Sequence, residues 1–341
     1  MSWTSMGWTS MSGAVTLLLL ASGASGRRTV AIIGAASGIG PPLALLLRQS
    51  TLISELRLWD VMPAAGLASD LQHVDAPGTA AAYSELSDCL FECDVVVLTA
   101  AVARAPGMSR QDHFSVNAHI VLKVTEACAS QCPEALLVIC TEPVSSMVPL
   151  ACEVFKRANV RRAAERVLGV TAADGMCANA CLAQRVGSVC EPATLRVPVI
   201  GGHGATALPL FSKLDLSDQL SADDVSALTR RVRSSGAEVL AASQGRTTAV
   251  YSVALAAARF VERVLAAREG EENVVVHAFV QCPRGSAPYM TQPVLLCRRG
   301  VGRVLQAGSL SGTEQCEFEL LLPKLLRAAK RGKDVVAQRG R

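Results

Sequence analysis

Hydrophobic residues follow two different patterns in the two halves of the chain. Up to about residue 170, short continuous apolar runs alternate with segments of helical periodicity, as expected for strands buried on both faces. The runs occupy residues 29–33, 55–60, 94–99 and 135–140, and a helix is predicted at 117–129. This alternation predicts an α/β fold with a Rossmann-type, doubly wound parallel sheet.

The strand–helix alternation weakens after about residue 173, where an α+β domain is expected. Helical periodicity predicts helices at 173–186, 222–242, 247–268 and 313–330. Strands are predicted at 194–200, 274–280 and 293–297. No linker rich in Pro, Gly or Ser separates the halves, so we expect domains 27–173 and 174–341 to pack closely.

Residues 1–26 follow neither pattern and are excluded from the predicted fold. They carry no charge, and their apolar run at 14–21 is too short to span a bilayer. Plentiful serine, the absence of acids and the pair Arg27–Arg28 suit an organelle presequence, with mitochondrial targeting favoured over secretion. The alternatives are an unstructured extension of a cytoplasmic protein, or translation that starts at Met11.

Composition places the chain among compact globular proteins. Of its 341 residues, 50% are hydrophobic and 18% charged, and the mean hydropathy is +0.32. The net charge of +4 is small and aromatic residues make up 4%, which argues against nucleic acid as a partner. Neither nucleic acid nor a membrane is therefore expected as a partner.

The cysteines predict a reducing compartment and no metal site. There are 12 of them, without a C-x-x-C pair or a His–Cys cluster at zinc spacing. The closest spacings are four residues, which places both members on one face of a helix. These pairs are Cys89/Cys93, Cys128/Cys132 and Cys177/Cys181. Most cysteines are interpreted as small buried hydrophobes.

A glycine-rich loop, Gly34-Ala-Ala-Ser-Gly-Ile-Gly40, separates the first predicted strand from a helix. Free backbone N–H groups at such a turn bind a pyrophosphate, so its candidate cofactor residues are Gly34, Ser37, Gly38, Ile39 and Gly40. Asp60 ends the next strand, where its carboxylate can accept a hydrogen bond from a ribose 2′-hydroxyl. This favours NAD over NADP, because the carboxylate would repel the 2′-phosphate of NADP. Ser37 replaces the usual middle glycine, and we expect weaker binding in consequence.

A candidate proton-transfer group lies in the second half. The apolar segment Val199-Ile200 runs into Gly201 and Gly202 and then His203, so the turn aims the imidazole. Asp174 lies about 30 residues upstream and is available to orient it. An imidazole is suited to proton transfer near neutral pH. A packed core histidine remains the competing interpretation of this separation.

Several longer motifs resemble those of one enzyme family. They are GAASGIGPPLALLL, LWDV, SDLQH, CDVVVLTAAVARAPGMSRQD, VTAAD and VPVIGGH. Together they resemble NAD-dependent malate dehydrogenases of the mitochondrial and bacterial type, within the lactate/malate dehydrogenase superfamily. The resemblance extends from Thr29 to about Val336. It implies a substrate domain after the NAD-binding domain, malate and oxaloacetate as substrates, and a homodimer.

The resemblance also implies roles for individual residues. His203 matches the proton-transferring histidine and Asp174 the carboxylate that orients it. Arg104 matches the lid arginine that pairs with the distal carboxylate of the substrate, and Arg110 the arginine that polarises the reacting carbonyl. Asn117 matches a position that contacts the cofactor.

Two substrate positions depart from the family pattern. Cys177 stands where the family has an arginine that binds the C1 carboxylate, and Glu142 stands where it has a substrate-contacting asparagine. We expect a second acid beside His203 to repel a dianionic substrate and to raise the pKa of the histidine. The segment after His203 is also one residue shorter than the family pattern.

Three interpretations follow from these observations. The first is a working malate dehydrogenase in which another arginine replaces the missing one. The second is a catalytically impaired paralogue that keeps the fold and serves a structural or binding role. The third is a dehydrogenase for a different, less acidic 2-hydroxy compound.

Overall fold

A computed structural model describes residues 28–102, 107–187, 191–215 and 217–339. The segment 1–26 and Arg104 lie outside the described residues, and so does the side chain of Arg110. The predictions made for them stay predictions. Everything else in the predicted site is described.

The first half forms a parallel sheet of six strands with helices between them. Its strands are β1 (Arg28–Ile33), β2 (Ile53–Trp59), β3 (Thr79–Ala82), β4 (Val95–Leu98), β5 (Leu136–Ile139) and β6 (Val167–Val170). Its helices are α1 (Gly40–Arg48), α2 (Ala65–Gln72), α3 (Leu86–Leu90), α4 (Arg110–Gln131) and α5 (Val144–Arg157). The strand order is β3-β2-β1-β4-β5-β6, which confirms the predicted Rossmann-type fold.

The second half extends the same sheet with antiparallel strands. Its helices are α6 (Ala172–Val186), α7 (Ala222–Ala242), α8 (Tyr251–Glu269) and α9 (Gly312–Arg339). Its strands are β7 (Val199–Gly201), β8 (Ala207–Pro209), β9 (Val275–Gln281), β10 (Tyr289–Cys297) and β11 (Gly300–Val304). β9 joins β6, and the order continues β9-β10-β7-β8, so this half is α+β as predicted.

Element boundaries differ from prediction where local chemistry interrupts a pattern. The strand predicted at 194–200 begins only at Val199, because Pro198 has no N–H and the N–H of Val197 donates to Asn179. The helix predicted at 313–330 continues to Arg339.

A second hydrophobic cluster sits apart from the main core, between α6 and α7. It includes Ala178, Leu182, Leu228 and Val232, which are all buried, and Cys177 packs against it. The described cysteines are free, and most of them are buried, as predicted. None of the helices in the described ranges is both long enough and apolar enough to span a bilayer.

Candidate active site

The loop after β1 depends on two glycines at close backbone contacts. Gly34 has φ +98°, and a Cβ there would lie 2.3 Å from the backbone nitrogen of Ala100. A Cβ on Gly40 would lie 2.2 Å from the carbonyl oxygen of Gly34. No side chain fits at either position, so α1 starts directly against the end of β1.

The same loop presents donors for an anion. Within the described residues, the N–H groups of Ser37, Gly38 and Ile39 have no hydrogen-bond acceptor. Pro41 and Pro42 have no N–H, so the first turn of α1 adds few donors and the loop itself must hold the anion. Gly38 has φ +57° and is exposed, which leaves room for a phosphate above it.

Asp60 shapes this loop from the end of β2. Its Oδ2 accepts the N–H of Ala36 at 2.9 Å, and its Oδ1 accepts the N–H of Met62 at 3.1 Å. The carboxylate is half-buried beside the loop, where a ribose hydroxyl would meet it. The loop and Asp60 therefore fit NAD, as the sequence predicts.

Replacing Ser37 with glycine is expected to tighten NADH binding by about fivefold, because a bare Cα lets the loop approach the phosphates. Energy transfer from Trp59 to NADH measures the dissociation constant. Ser69→Gly, on the exposed face of α2, is the matched control and should change nothing. Weaker binding by Ser37→Gly would show instead that the hydroxyl donates to the cofactor.

His203 and Asp174 meet although 29 residues separate them. Asp174 lies in the first turn of α6 with its side chain 3% exposed, and its Oδ2 is 2.6 Å from His203 Nδ1. The N–H of Gly204 also donates to Asp174, at 3.2 Å from Oδ1. The carboxylate thereby fixes both the imidazole ring and the turn that carries it, which leaves Nε2 for proton transfer.

Nε2 is occupied by a second carboxylate. Glu142 Oε1 lies 2.9 Å from His203 Nε2, and Glu142 Oε2 accepts the N–H of Val144 at 3.3 Å. The Glu142 side chain is 51% exposed, whereas that of His203 is 24% exposed. His203 is thus held between two acids, of which only Asp174 is buried.

The two carboxylates determine the charge of His203. Burial lowers the pKa of His203, but the negative charges of Glu142 and Asp174 outweigh it and raise the pKa well above 6.5. Burial raises the pKa of Glu142, and the charge and hydrogen bond of His203 outweigh that effect and lower it. The imidazole is therefore positively charged at neutral pH, with Glu142 as its counter-ion.

Replacing Glu142 with glutamine is expected to lower the pKa of His203. The negative charge of Glu142 is one of the two charges that raise this pKa well above 6.5, and an amide in its place removes that charge while keeping the shape of the side chain. The imidazole of the variant should therefore become neutral at a lower pH than that of the unchanged protein. The measurement is an NMR titration of the His203 ring against pH.

The control for this variant is Glu153→Gln, which removes an acid from α5 that pairs with Arg157. It should leave the pH midpoint unchanged. A midpoint that stays in place in Glu142→Gln as well would show that Glu142 does not set the charge of His203.

Cys177 contacts another thiol. Its Sγ is 3.8 Å from Cys181 Sγ, one turn further along α6. The hydrogen bond between the thiols raises the pKa of Cys177 and lowers the pKa of Cys181 to about 7. A thiol provides no positive charge. Cys177, which stands where the family pattern has a carboxylate-binding arginine, therefore cannot form an ion pair with a substrate carboxylate.

Asn117 connects three segments of the site. Its Oδ1 accepts the N–H of Val102 at 2.8 Å, and its Nδ2 lies 3.2 Å from His113 Nε2 and 3.4 Å from the carbonyl oxygen of Glu142. His113 Nε2 is also 2.8 Å from the carbonyl oxygen of Val102. Asn117 is buried and therefore fixes the backbone where the segment containing Arg104 begins.

Two residues of the site had no signal in the sequence pattern. His113 stands on α4 at an ordinary helical position, and nothing local marks its contact with Val102. Thr291 is fully buried on β10, and its hydroxyl donates to the carbonyl oxygen of Gly202 at 3.0 Å. Because 89 residues separate these partners, only strand pairing reveals the contact. The described residues contain no cluster that could hold a metal ion.

Comparison with known proteins identifies the family. The profile described as "lactate/malate dehydrogenase, NAD binding domain" matches residues 28–169. The profile described as "lactate/malate dehydrogenase, alpha/beta C-terminal domain" matches residues 171–336. The chain belongs to the lactate/malate dehydrogenase family. Its first domain is accordingly an NAD-binding domain.

Individual family members are similar over nearly their full length. The mitochondrial malate dehydrogenase of Sus scrofa is 41% identical over 311 residues, which covers 90% of this chain and 91% of the relative. That of Homo sapiens is 40% identical over 317 residues, covering 92% and 93%.

Among solved structures, malate dehydrogenase of Cryptosporidium parvum has a TM-score of 0.76 at 25% identity, covering 89% of this chain and 99% of that one. The lactate dehydrogenase of Cryptosporidium parvum, in complex with lactic acid and the nicotinamide cofactor, has a TM-score of 0.78 at 23% identity. This alignment covers 90% of this chain and 98% of that one, and it shows that the two share a fold.

Proposed function

We propose that this protein is an NAD-dependent oxidoreductase of the malate dehydrogenase type, which transfers hydride reversibly between NAD and malate or oxaloacetate. The 2.6 Å contact between His203 Nδ1 and Asp174 Oδ2 carries the proposal. It supplies an oriented proton donor and acceptor in a chain whose first domain belongs to an NAD-binding family. Relatives named mitochondrial malate dehydrogenase support the choice of substrate.

In this proposal, separate residues bind the cofactor, transfer the proton and orient the imidazole. The loop Gly34–Gly40 and Asp60 hold the cofactor, whose nicotinamide ring, when bound, accepts or donates the hydride. His203 Nε2 takes the hydroxyl proton during oxidation and returns it during reduction. Asp174 keeps the imidazole oriented through Nδ1 and stabilises its charged form.

Glu142 must leave Nε2 before a substrate oxygen reaches it. Its half-exposed side chain allows rotation towards solvent, whereas buried Asp174 stays in place. With His203 charged at neutral pH, the site is prepared to donate a proton, which is the step that reduction of a 2-oxo acid requires. Oxidation in the reverse direction becomes competent at higher pH.

Arg104 and Arg110 are proposed to bind the dicarboxylate substrate. Their planar guanidinium groups suit carboxylates, and closure of the segment that carries them would exclude water. A dehydrogenase for a less acidic 2-hydroxy compound is the second candidate. The thiol contact of Cys177 and the charge of Glu142 favour it, because both disfavour a C1 carboxylate.

The remaining expectations are proposals as well. We propose a homodimer and a boundary between the two domains near residue 173. A mitochondrial location is also proposed, from the uncharged segment 1–26 and from the names of the relatives.

The test is NADH consumption by the full chain with oxaloacetate, measured beside NADH binding by energy transfer from Trp59. Trp59→Phe identifies the transfer that arises at this site, because two further tryptophans lie in the first 26 residues. Turnover supports the proposal. Binding without turnover of oxaloacetate, but with turnover of a less acidic 2-oxo compound, supports the second candidate. Binding with no turnover contradicts both.

A further inference from the structure

One cavity, whose lining does not include His203, lies between α7, β8 and the first turns of α9. Its volume is about 540 Å³, within the range of small-molecule sites. The face of α7 that lines it presents residues at helical spacing: Val225, Ser226, Thr229, Arg230 and Arg233. With Ala222, this face spans about 16 Å of helix.

The two ends of the cavity differ in chemistry. Near the start of α7 its walls include the half-buried apolar side chains of Leu220 and Val225. About two turns further along α7 the walls carry arginine. An elongated ligand with an apolar tail and a negatively charged head fits this gradient.

The arginines provide donors for the head group. Arg233 donates from Nε to the carbonyl oxygen of Ala207 at 2.7 Å and from Nη1 to Glu317 at 2.8 Å. Its Nη2 is buried, and no acceptor for it exists within the described residues. Arg230 is exposed and has no carboxylate partner in the described part of the chain. One acid therefore faces two cations at this end.

The other acid of the cavity is already satisfied. Glu314 is buried and accepts from the hydroxyl of Ser212 at 2.6 Å and from the N–H of Ser311 at 2.9 Å. It belongs to the cap of α9 and not to the arginine end. The net charge at the arginine end of the cavity is therefore positive.

We infer that this cavity binds an aliphatic monocarboxylate of medium chain length, with its carboxylate at Arg230 and Arg233 and its hydrocarbon chain against Leu220 and Val225. A carboxylate there pairs with exposed Arg230 and lies beside the positive charge of Arg233, which Glu317 alone faces at this end. The hydrocarbon chain removes the exposed parts of Leu220 and Val225 from water. The inference is independent of the reaction proposed for His203.

The experiment measures binding of decanoate to the full chain by isothermal titration calorimetry, below the micellar concentration. One saturable site per chain is expected, with hexanoate and 1-decanol each binding about tenfold or more weakly. Hexanoate lacks hydrocarbon contacts, and decanol lacks the charge that pairs with arginine. Equal binding of decanol and decanoate, or no saturable binding, would overturn the inference.

Variants locate the site. Arg230→Gln should weaken decanoate about tenfold, whereas Arg231→Gln should not, because Arg231 points away to Gln184 on α6. Ser226→Trp fills the cavity from an exposed position of α7 and should abolish binding without loss of the fold, checked by circular dichroism. Unchanged affinity in a folded Ser226→Trp protein would place the ligand elsewhere.

Discussion

Replacing Cys177 with arginine and Glu142 with asparagine together is expected to raise kcat/KM for oxaloacetate by a few hundred- to a few thousand-fold. A bidentate, desolvated arginine–carboxylate pair is worth about 3–5 kcal/mol of transition-state binding, and each 1.4 kcal/mol is about tenfold in rate. The asparagine removes the acid at His203 Nε2 and the repulsion it exerts on a dianion. NADH consumption under non-saturating oxaloacetate measures the change.

The matched control is Met176→Arg in the same Glu142→Asn background, which adds an equal charge one residue away on α6. It should give little of the gain, because successive helix positions point in different directions. Cys177→Arg as a single change should give only part of it, since Glu142 still occupies Nε2. Equal gains at 176 and 177 would show a general effect of charge and not a restored contact.

Replacing Asp174 with asparagine is expected to lower kcat by about 10³–10⁴-fold while NADH binding is kept. An amide retains the shape of the carboxylate but does not stabilise the charged imidazole, and it favours the wrong tautomer at Nε2. Asp174 is almost fully buried, so no water replaces its charge. Stopped-flow measurement of a single turnover separates this loss from effects on cofactor binding.

Asp94→Asn is the control for this change. Asp94 is a partly buried acid paired with Arg28 and Arg268, at the end of the sheet opposite the glycine loop, so its replacement tests stability without touching proton transfer. The comparison is best made in the Glu142→Asn, Cys177→Arg background, where a large loss is easily measured. If Asp174→Asn keeps its turnover there, Asp174 does not support proton transfer by His203.

The cofactor half of the site was predictable because its parts are close in sequence. β1, the loop up to Gly40 and the acid at Asp60 follow one another within 33 residues, and each has a local signature. The structure adds the reason for two of the glycines, namely the contacts of Gly34 with Ala100 and of Gly40 with Gly34. Neither contact is visible in a linear pattern.

The meeting of the candidate proton-transfer residues was predictable only through the family resemblance. Glu142, Asp174 and His203 belong to three separate elements, and periodicity alone does not indicate that they meet. Pro198 shortened a predicted strand, and the short strands β3 and β11 carry too few residues to show a period. The contact between Cys177 and Cys181 is expected from helical spacing. The packing of Cys177 against the second hydrophobic cluster, between α6 and α7, could not be predicted without the fold.

Glu142 also has a consequence for how substrates and inhibitors bind. A carboxylate attached to the protein and held 2.9 Å from Nε2 competes intramolecularly with any free ligand for that atom. In the function proposed above, every ligand that uses Nε2 must first displace Glu142, so the displacement penalty would enter the apparent affinity of substrate, product and analogue alike. Glu142 would then act as a competitive inhibitor built into the chain.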